Sequence, residues 1–319
     1  MTPIGGYYEL ELTRGAHRYH TTPYTFKSGR SALHYILQLV KPSLVYVPFY
    51  TCNGLLESFE AAQTHYLFYE INHLLEPDEL PELGPHEYFL YINYFDVKRQ
   101  FVQRLSDKYR DRLIVDCTQA FFMKGNGWSW FFNSCRKYFG VPDGSFLYAP
   151  QHINLSGYSG RNEQYLVSHL ITRFNDHVQE GYRAFLENEV LCGTEITGMS
   201  KLSEYLLSNI NYEMVIGKRY SNYSYLDTVF REQHLFPPEG RDDCVPMVYP
   251  VLLNKPVSRK LFGDHQVFIP TYWTDVRERD YPGFEIEKLV SDHLLPLPID
   301  HRYNQVDMER MVKLIKNLT

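Results

Sequence analysis

The chain has no C-x-x-C pair, no long apolar run and no excess of basic residues. Its five cysteines are scattered at positions 52, 117, 135, 192 and 244. An odd, dispersed set reads as free thiols in a reducing compartment and not as a disulfide framework. Apolar stretches such as residues 44–50 fall far short of the roughly 20 residues that a membrane helix needs. The first residues, MTPIGGYYELELTRG, lack the basic segment and apolar core of a secretory signal. These absences predict a soluble cytoplasmic protein with no membrane partner. Lysine plus arginine total 32 against 38 acidic residues, a net charge of −6, which argues against a protein that grips nucleic acid through phosphates. No internal repeat or low-complexity tract occurs, so a solenoid is excluded.

What is present is ample material for a core. The 319 residues are 44% apolar and include 27 tyrosines and 20 phenylalanines, which excludes general disorder. Apolar positions at helical spacing predict a helix from about Ser31 to Val40 and another over residues 54–62. Short apolar segments predict strands at residues 44–48, 66–69, 88–94, 113–116 and 146–148. From about residue 155 to 230 the pattern is helical. Strands at 245–253 and 267–269 and a last helix at 305–318 follow. Strands alternating with helices imply a mostly parallel sheet flanked by helices, followed by a small α/β unit. The expected division is a large α/β domain over residues 1–212 and a small C-terminal α/β domain over 213–319.

Three constellations could carry chemistry. Ser28-Gly29-Arg30-Ser31 opens a helix, whose free N–H groups and positive dipole end suit an anion. The same serines also suit a plain helix cap. Asp116, in Ile114-Val115-Asp116-Cys117-Thr118-Gln119-Ala120, ends a buried strand where open α/β sheets place their ligands. It fits a partner for a protonated ring nitrogen and equally a cap for the next segment. Lys137 stands between aromatic residues, three positions after Ser134 and ahead of Gly140-Val141-Pro142-Asp143-Gly144. Desolvation of such an amine would free it for Schiff-base chemistry, although S-x-x-K alone also describes an ordinary lysine. His17 and His20 lack the acidic or thiol partners of a local metal set, and no metal is expected. Gly125-Asn126-Gly127 follows no strand and reads as a turn. Cys52 and Cys135 have no neighbouring histidine and read as core or pocket-wall thiols.

The order of these segments resembles the DegT/DnrJ/EryC1/StrS family of pyridoxal-phosphate sugar aminotransferases. Ser28-Gly29-Arg30-Ser31-Ala32-Leu33 is similar to that family's Ser-Gly-Thr-x-Ala-Leu phosphate turn. Val45-Tyr46-Val47-Pro48-Phe49-Tyr50-Thr51 resembles its strand ending in Pro-x-x-Thr. Val115-Asp116-Cys117-Thr118-Gln119-Ala120 resembles Glu-Asp-x-x-Gln-Ala, and Lys137 with its following turn resembles the Schiff-base lysine ahead of Gly-Glu-Gly-Gly. Leu295-Pro296-Leu297-Pro298-Ile299 and the helix after it resemble the closing Leu-Pro-x-x segment. Four departures stand out. The chain is shorter than typical members, Arg30 replaces threonine, Val141-Pro142-Asp143-Gly144 replaces the glycine-rich turn, and Ile196-Thr197-Gly198-Met199 stands in place of Asn-Tyr-Arg-Met.

The resemblance implies aspartate-aminotransferase fold type I and pyridoxal 5′-phosphate as cofactor. Lys137 would carry the cofactor and move protons, and Asp116 would pair with the ring nitrogen. Gln119 would lie along the ring. Ser28, Gly29, Arg30, Ser31 and Ser134 would hold the phosphate, with the Arg30 side chain adding charge. Tyr50 and Asn93 are weaker pocket positions. The implied reaction takes an amino group from glutamate to the keto group of a nucleotide-linked sugar, of the kind used for cell-surface polysaccharide. The implied assembly is a homodimer with shared active sites. The alternatives are a catalytically silent homologue acting as a binding or scaffold protein, and dehydration or lyase chemistry on the same cofactor.

Overall fold

A computed structural model describes residues 4, 6–153, 155, 158, 160–233 and 244–318. A short edge strand β1 (Thr25–Phe26) leads into helix α1 (Gly29–Val40). Then come β2 (Leu44–Pro48), α2 (Asn53–Ala61), β3 (Tyr66–Tyr69), β4 (Glu87–Ile92), α3 (Arg99–Tyr109), β5 (Leu113–Cys117), β6 (Trp130–Asn133) and β7 (Ser145–Tyr148). These seven strands form one sheet in the order β1-β7-β6-β5-β4-β2-β3. Strands β3, β2, β4, β5 and β6 are parallel, while β7 runs antiparallel to both β6 and β1. All five residues of β5 are buried, as helices on both faces of a parallel sheet require. That is why its sequence is a solid apolar run broken only by Asp116. From β3, at one edge, the chain returns to β4 on the far side of β2. The strand order therefore reverses at β2 and β4, and the crevice outside their carboxyl ends is the ligand position expected of such a sheet.

Four helices follow: α4 (Ser168–Phe174), α5 (Val178–Leu191), α6 (Lys201–Ser208) and the long α7 (Tyr212–Phe230). The last part contains β8 (Val248–Leu252), α8 (Arg259–Asp264), α9 (Thr274–Glu278), α10 (Glu285–His293), β9 (Leu294–Pro298) and α11 (Gln305–Leu318). Strands β8 and β9 pair antiparallel as a separate two-stranded sheet. Two apolar cores result. One surrounds the large sheet and takes in Val276 and Val290, and the other lies among α7, α8, α11 and the small sheet. Helix α7 contributes to both, through Val215 to the first and through Tyr223, Leu226 and Phe230 to the second.

The architecture is the expected mixed α/β one, with local differences. Residues 267–269 form no strand. Val267 and Ile269 are buried with Phe268 exposed between them, so the alternation is real, but the small sheet gives them no partner. The described residues between 155 and 167 are not helical. The strand expected at 245–253 is confined to β8. Strands β1 and β6 were not anticipated. The five cysteines are all free. No helix among the described residues is long and apolar enough to cross a membrane.

Candidate active site

The phosphate-type turn and the lysine turn meet at the carboxyl end of the sheet. Ser28 caps α1 and accepts the Ser31 backbone N–H at 3.1 Å, which leaves the Gly29 and Arg30 N–H groups at the start of the helix. Lys137 ends a 3-10 turn (Cys135–Lys137) that begins one residue beyond Ser134, which directly follows β6. The two turns are stitched together by Gly144. Its N–H donates to the Lys27 carbonyl at 2.7 Å, and its own carbonyl accepts the Cys135 N–H at 2.9 Å. Gly144 sits at φ +125°, and a Cβ there would lie 3.0 Å from both Cys135 Sγ and Met199 Cε. No other residue fits this position without displacement.

The altered Val-Pro-Asp-Gly turn has a structural role. The buried Asp143 carboxylate accepts the Ser200 N–H and hydroxyl at the start of α6 and the Asn162 amide, and the Asp143 N–H donates to Ser203. The turn thereby fastens the lysine loop to the cap of α6.

Asp116 is 4% exposed. Burial pushes its carboxyl above the ordinary value, while the Lys137 charge and hydrogen bonds from Thr118 pull it back. The Thr118 N–H donates to Asp116 Oδ1 at 2.7 Å, and Lys137 Nζ donates to Thr118 Oγ1 at 3.1 Å. Thr118 is therefore the link between the acid and the amine. It also backs the helix turn, because a Cβ on Gly29 would lie 3.0 Å from Thr118 Cγ2 and 3.3 Å from the Asn133 carbonyl. The Asp116 side chain bonding the backbone two residues on is an Asx turn, which any residue but proline at position 118 would complete through its N–H. Cys52, at the cap of α2, lies close enough for both Lys137 and Asp116 to affect its thiol, which burial pushes up.

The remaining expected residues divide. Ser134 is half-buried beside the lysine turn and makes no cap bond there. Gln119 is fully buried. Its Oε1 accepts the Phe95 N–H, and its Nε2 has no hydrogen-bond partner. The Ser31 hydroxyl donates to the Glu195 carbonyl at 2.5 Å, so its backbone and side chain are both occupied. The Arg30 side chain turns away from the lysine. Its guanidinium meets Glu189 at 3.2 Å and Glu57 at 3.5 Å, so its charge is shared with two carboxylates. Tyr50 is buried against Trp273, and its hydroxyl donates to the Tyr272 carbonyl. The Asn93 side chain is consumed by Asp96, Met123 and the Lys98 N–H, so both of these residues serve packing and turn geometry.

His20 and His17 do not share a site. His17 is exposed, whereas His20 is buried between the Tyr148 hydroxyl and the Phe121 carbonyl. Burial lowers its pKa to about 3. Among the described residues no group of three histidines, cysteines or acids is placed to hold a metal ion.

The chain has the fold of the sugar aminotransferases. It aligns with CalS13 from Micromonospora echinospora, a sugar aminotransferase, at a TM-score of 0.62 and 14% identity, covering 92% of this chain and 86% of that one. Spr1654 from Streptococcus pneumoniae, a putative sugar aminotransferase in its PLP form, aligns at 0.64 and 10% identity, covering 92% and 86%. NtdA from Bacillus subtilis, with bound cofactor PMP, aligns at 0.58 and 14%, covering 92% of this chain and 72% of that one. No family model and no curated protein matches the sequence. At these identities the likeness establishes the architecture, and the chemistry is argued from the residues.

Proposed function

We propose that the protein is a pyridoxal-phosphate-dependent aminotransferase that moves an amino group from glutamate to the keto group of a nucleotide-linked sugar. The observation that carries this reading is the joining of Lys137 and Asp116 through Thr118, against the Gly29 turn, at the carboxyl end of a sheet with the aminotransferase fold. The residues fit the cofactor on three counts. Gly29 lets the start of helix α1 pack onto Thr118 and the Asn133 carbonyl, where a Cβ would crowd them, and the N–H groups at that start suit a phosphate. The buried Asp116 carboxylate, with its pKa raised, lacks a full counter-charge, which a protonated ring nitrogen would supply. Lys137 is exposed, which corrects the expectation of a desolvated amine, since its aromatic neighbour Tyr138 is buried away from it; the amine is open to approach.

When bound, pyridoxal phosphate supplies an aldehyde that captures amines and a ring that draws electrons from the carbon beside them. Lys137 Nζ holds the cofactor and, when released, takes and returns the proton at the donor's α-carbon. The bond from Nζ to Thr118 Oγ1 fixes where that amine rests. Asp116 would pair with the cofactor's ring nitrogen and favour its protonated form. The N–H groups of Gly29 and Arg30, with Ser134, hold the phosphate, and Ser28 contributes by capping the helix. The orphaned Gln119 Nε2 is a donor for the ring edge. A homodimer and a cytoplasmic setting belong to the same reading.

The test is the visible spectrum of the purified protein supplied with pyridoxal phosphate, followed by borohydride reduction and peptide mapping. A visible band fixed by borohydride on Lys137, and bleached by glutamate, is the expected result. No band, or label on another lysine, defeats the reading. A band that glutamate leaves unchanged defeats the aminotransferase part of it.

A further inference from the structure

A second positively charged locus lies beside the phosphate turn. The Arg30 guanidinium reaches across to the first turn of α2, where a Cβ on Gly54 would come within 2.9 Å of Arg30 Nε. Arg136, immediately before Lys137, is turned to the same place. Burial and, to a lesser extent, the Arg30 charge lower the Arg136 pKa. Helices α1 and α2 start here, so their positive dipole ends add to the field of the two guanidiniums. One side chain answers most of this charge. The Glu189 carboxylate pairs with Arg136 Nη2 and, at 3.2 Å, with Arg30 Nη2. Other acids are peripheral: Glu57 lies 3.5 Å from Arg30 Nε, and Asp275 accepts the Asn53 N–H at 2.7 Å. Arg136 Nε stays buried with no acceptor. Glu189 is the carboxylate the two arginines share, Glu57 pairs with Arg30 alone, and a buried donor is left over.

Glu189 is carried by an element with little hold on the body. Helix α5 buries only Gly181 and Asn188, and α4 buries no residue. Gly181 and Asn188 are engaged within the hairpin itself: Gly181 lies against Arg173, and the Asn188 amide donates to the Ser168 hydroxyl and lies within hydrogen-bond distance of His169 Nδ1. The ties to the sheet run through the C-terminal end of α5. There the Glu189 carbonyl accepts Arg30 Nη1, and Arg136 Nη1 donates to Cys192 Sγ. An element with few buried contacts opens at low free-energy cost.

We propose that Arg30 and Arg136 form the seat for the diphosphate of the acceptor substrate, and that Glu189 on the α4–α5 hairpin occupies it until the diphosphate takes its place. The diphosphate assignment rests on the nucleotide-sugar reading above. The chemistry is an exchange of one anion for another. A diphosphate brings more charge and more acceptor oxygens than a carboxylate, enough to engage both guanidinium forks and Arg136 Nε. Release of Glu189 frees the hairpin, so binding and movement are linked.

The experiment uses the full-length protein saturated with pyridoxal phosphate, titrated calorimetrically with inorganic pyrophosphate and separately with glutarate as a carboxylate probe. Amide hydrogen exchange is followed over residues 178–191. Pyrophosphate is expected to bind and to speed exchange there several-fold. Glu189→Gln is expected to bind it about tenfold more tightly, and Arg30→Met and Arg136→Met about tenfold more weakly. Arg30→Met carries the test if the buried Arg136 variant fails to fold. Pyrophosphate affinity unchanged in Glu189→Gln and Arg30→Met overturns the proposal, and so does a seat that responds to glutarate alone. The visible cofactor band is read in the same samples. A band without a pyrophosphate response sinks the seat only. A pyrophosphate response without a band sinks the cofactor reading only.

Discussion

The carboxyl edge of the large sheet and the α4–α5 hairpin meet at Arg30 and Arg136 and are built in opposite ways. At the sheet edge Asp116, Gln119 and Gly29 are buried, held respectively by the Thr118 N–H, by the Phe95 N–H, and against Thr118 and the Asn133 carbonyl. In the hairpin most side chains are uncovered, including Tyr182 at 61% and Val190 at 85% exposure, and the polar ties to Arg30 and Arg136 gather at the C-terminal end of α5. The difference assigns labour. Groups that must keep sub-ångström relations sit on the parallel sheet, and the group that must yield to a ligand sits on the element that is cheap to move.

The sharpest way to break this comparison is to remove the amine. Lys137→Ala is expected to lower transamination by about 10²–10⁴-fold and to abolish borohydride-fixed label, with little change in melting temperature, because Lys137 is exposed. A large loss of stability would mean that Lys137 is part of the frame. Core truncation is next. Ile114→Ala, at the fully buried centre of β5, should cost about 2–5 kcal/mol in denaturant unfolding. Gly29→Ala should cost about 1–3 kcal/mol by pressing on Thr118 and the Asn133 carbonyl, with weaker cofactor binding read from the visible band.

A graded effect comes from His20, which ties residues before β1 to the sheet. Its folded pKa of about 3 lies below the unfolded value near 6.5, so the unfolded state binds more protons between them. Stability is expected to fall as pH drops through that window, and His20→Gln should flatten the slope. The smallest effect belongs to the hairpin. Leu186→Ala, at a 47% exposed position, should shift stability by no more than about 0.5 kcal/mol. A cost comparable to that of Ile114→Ala would show that the hairpin is a packed part of the body.

Much of the sheet could be read in advance because its elements carry local signals. Strands β2 and β3 and helix α11 appear at the expected residues, and β5 is marked by its apolar run ending at an acid. Strand β6 is as fully buried as β5, but its run is short and aromatic and lacks the β-branched residues that mark β5. Residues 267–269 misled in the opposite sense, since alternation alone does not supply a partner strand. At the site, Ser28, Gly29, Asp116 and Lys137 were legible as chain-local patterns. The linking part of Thr118 was not, because it is a neutral hydroxyl whose importance depends on Lys137 arriving from another loop. The direction of the Arg30 side chain was also hidden, since its partner Glu189 is brought in by a hairpin remote in sequence.

Helix α7 has a mechanical consequence. Nineteen residues make a rod of about 28 Å, rooted at one end in the large-sheet core through Val215 and at the other in the small-sheet core through Leu226 and Phe230. Its middle is clamped by the fully buried Arg219, which donates to the Pro246 and Met247 carbonyls and lies over the ring of Tyr138, the residue after Lys137. A shaft fixed at both ends and gripped halfway transmits torque. A twist of the small sheet would reach the backbone that carries the lysine through this rod, and the two cores are expected to melt in one calorimetric transition.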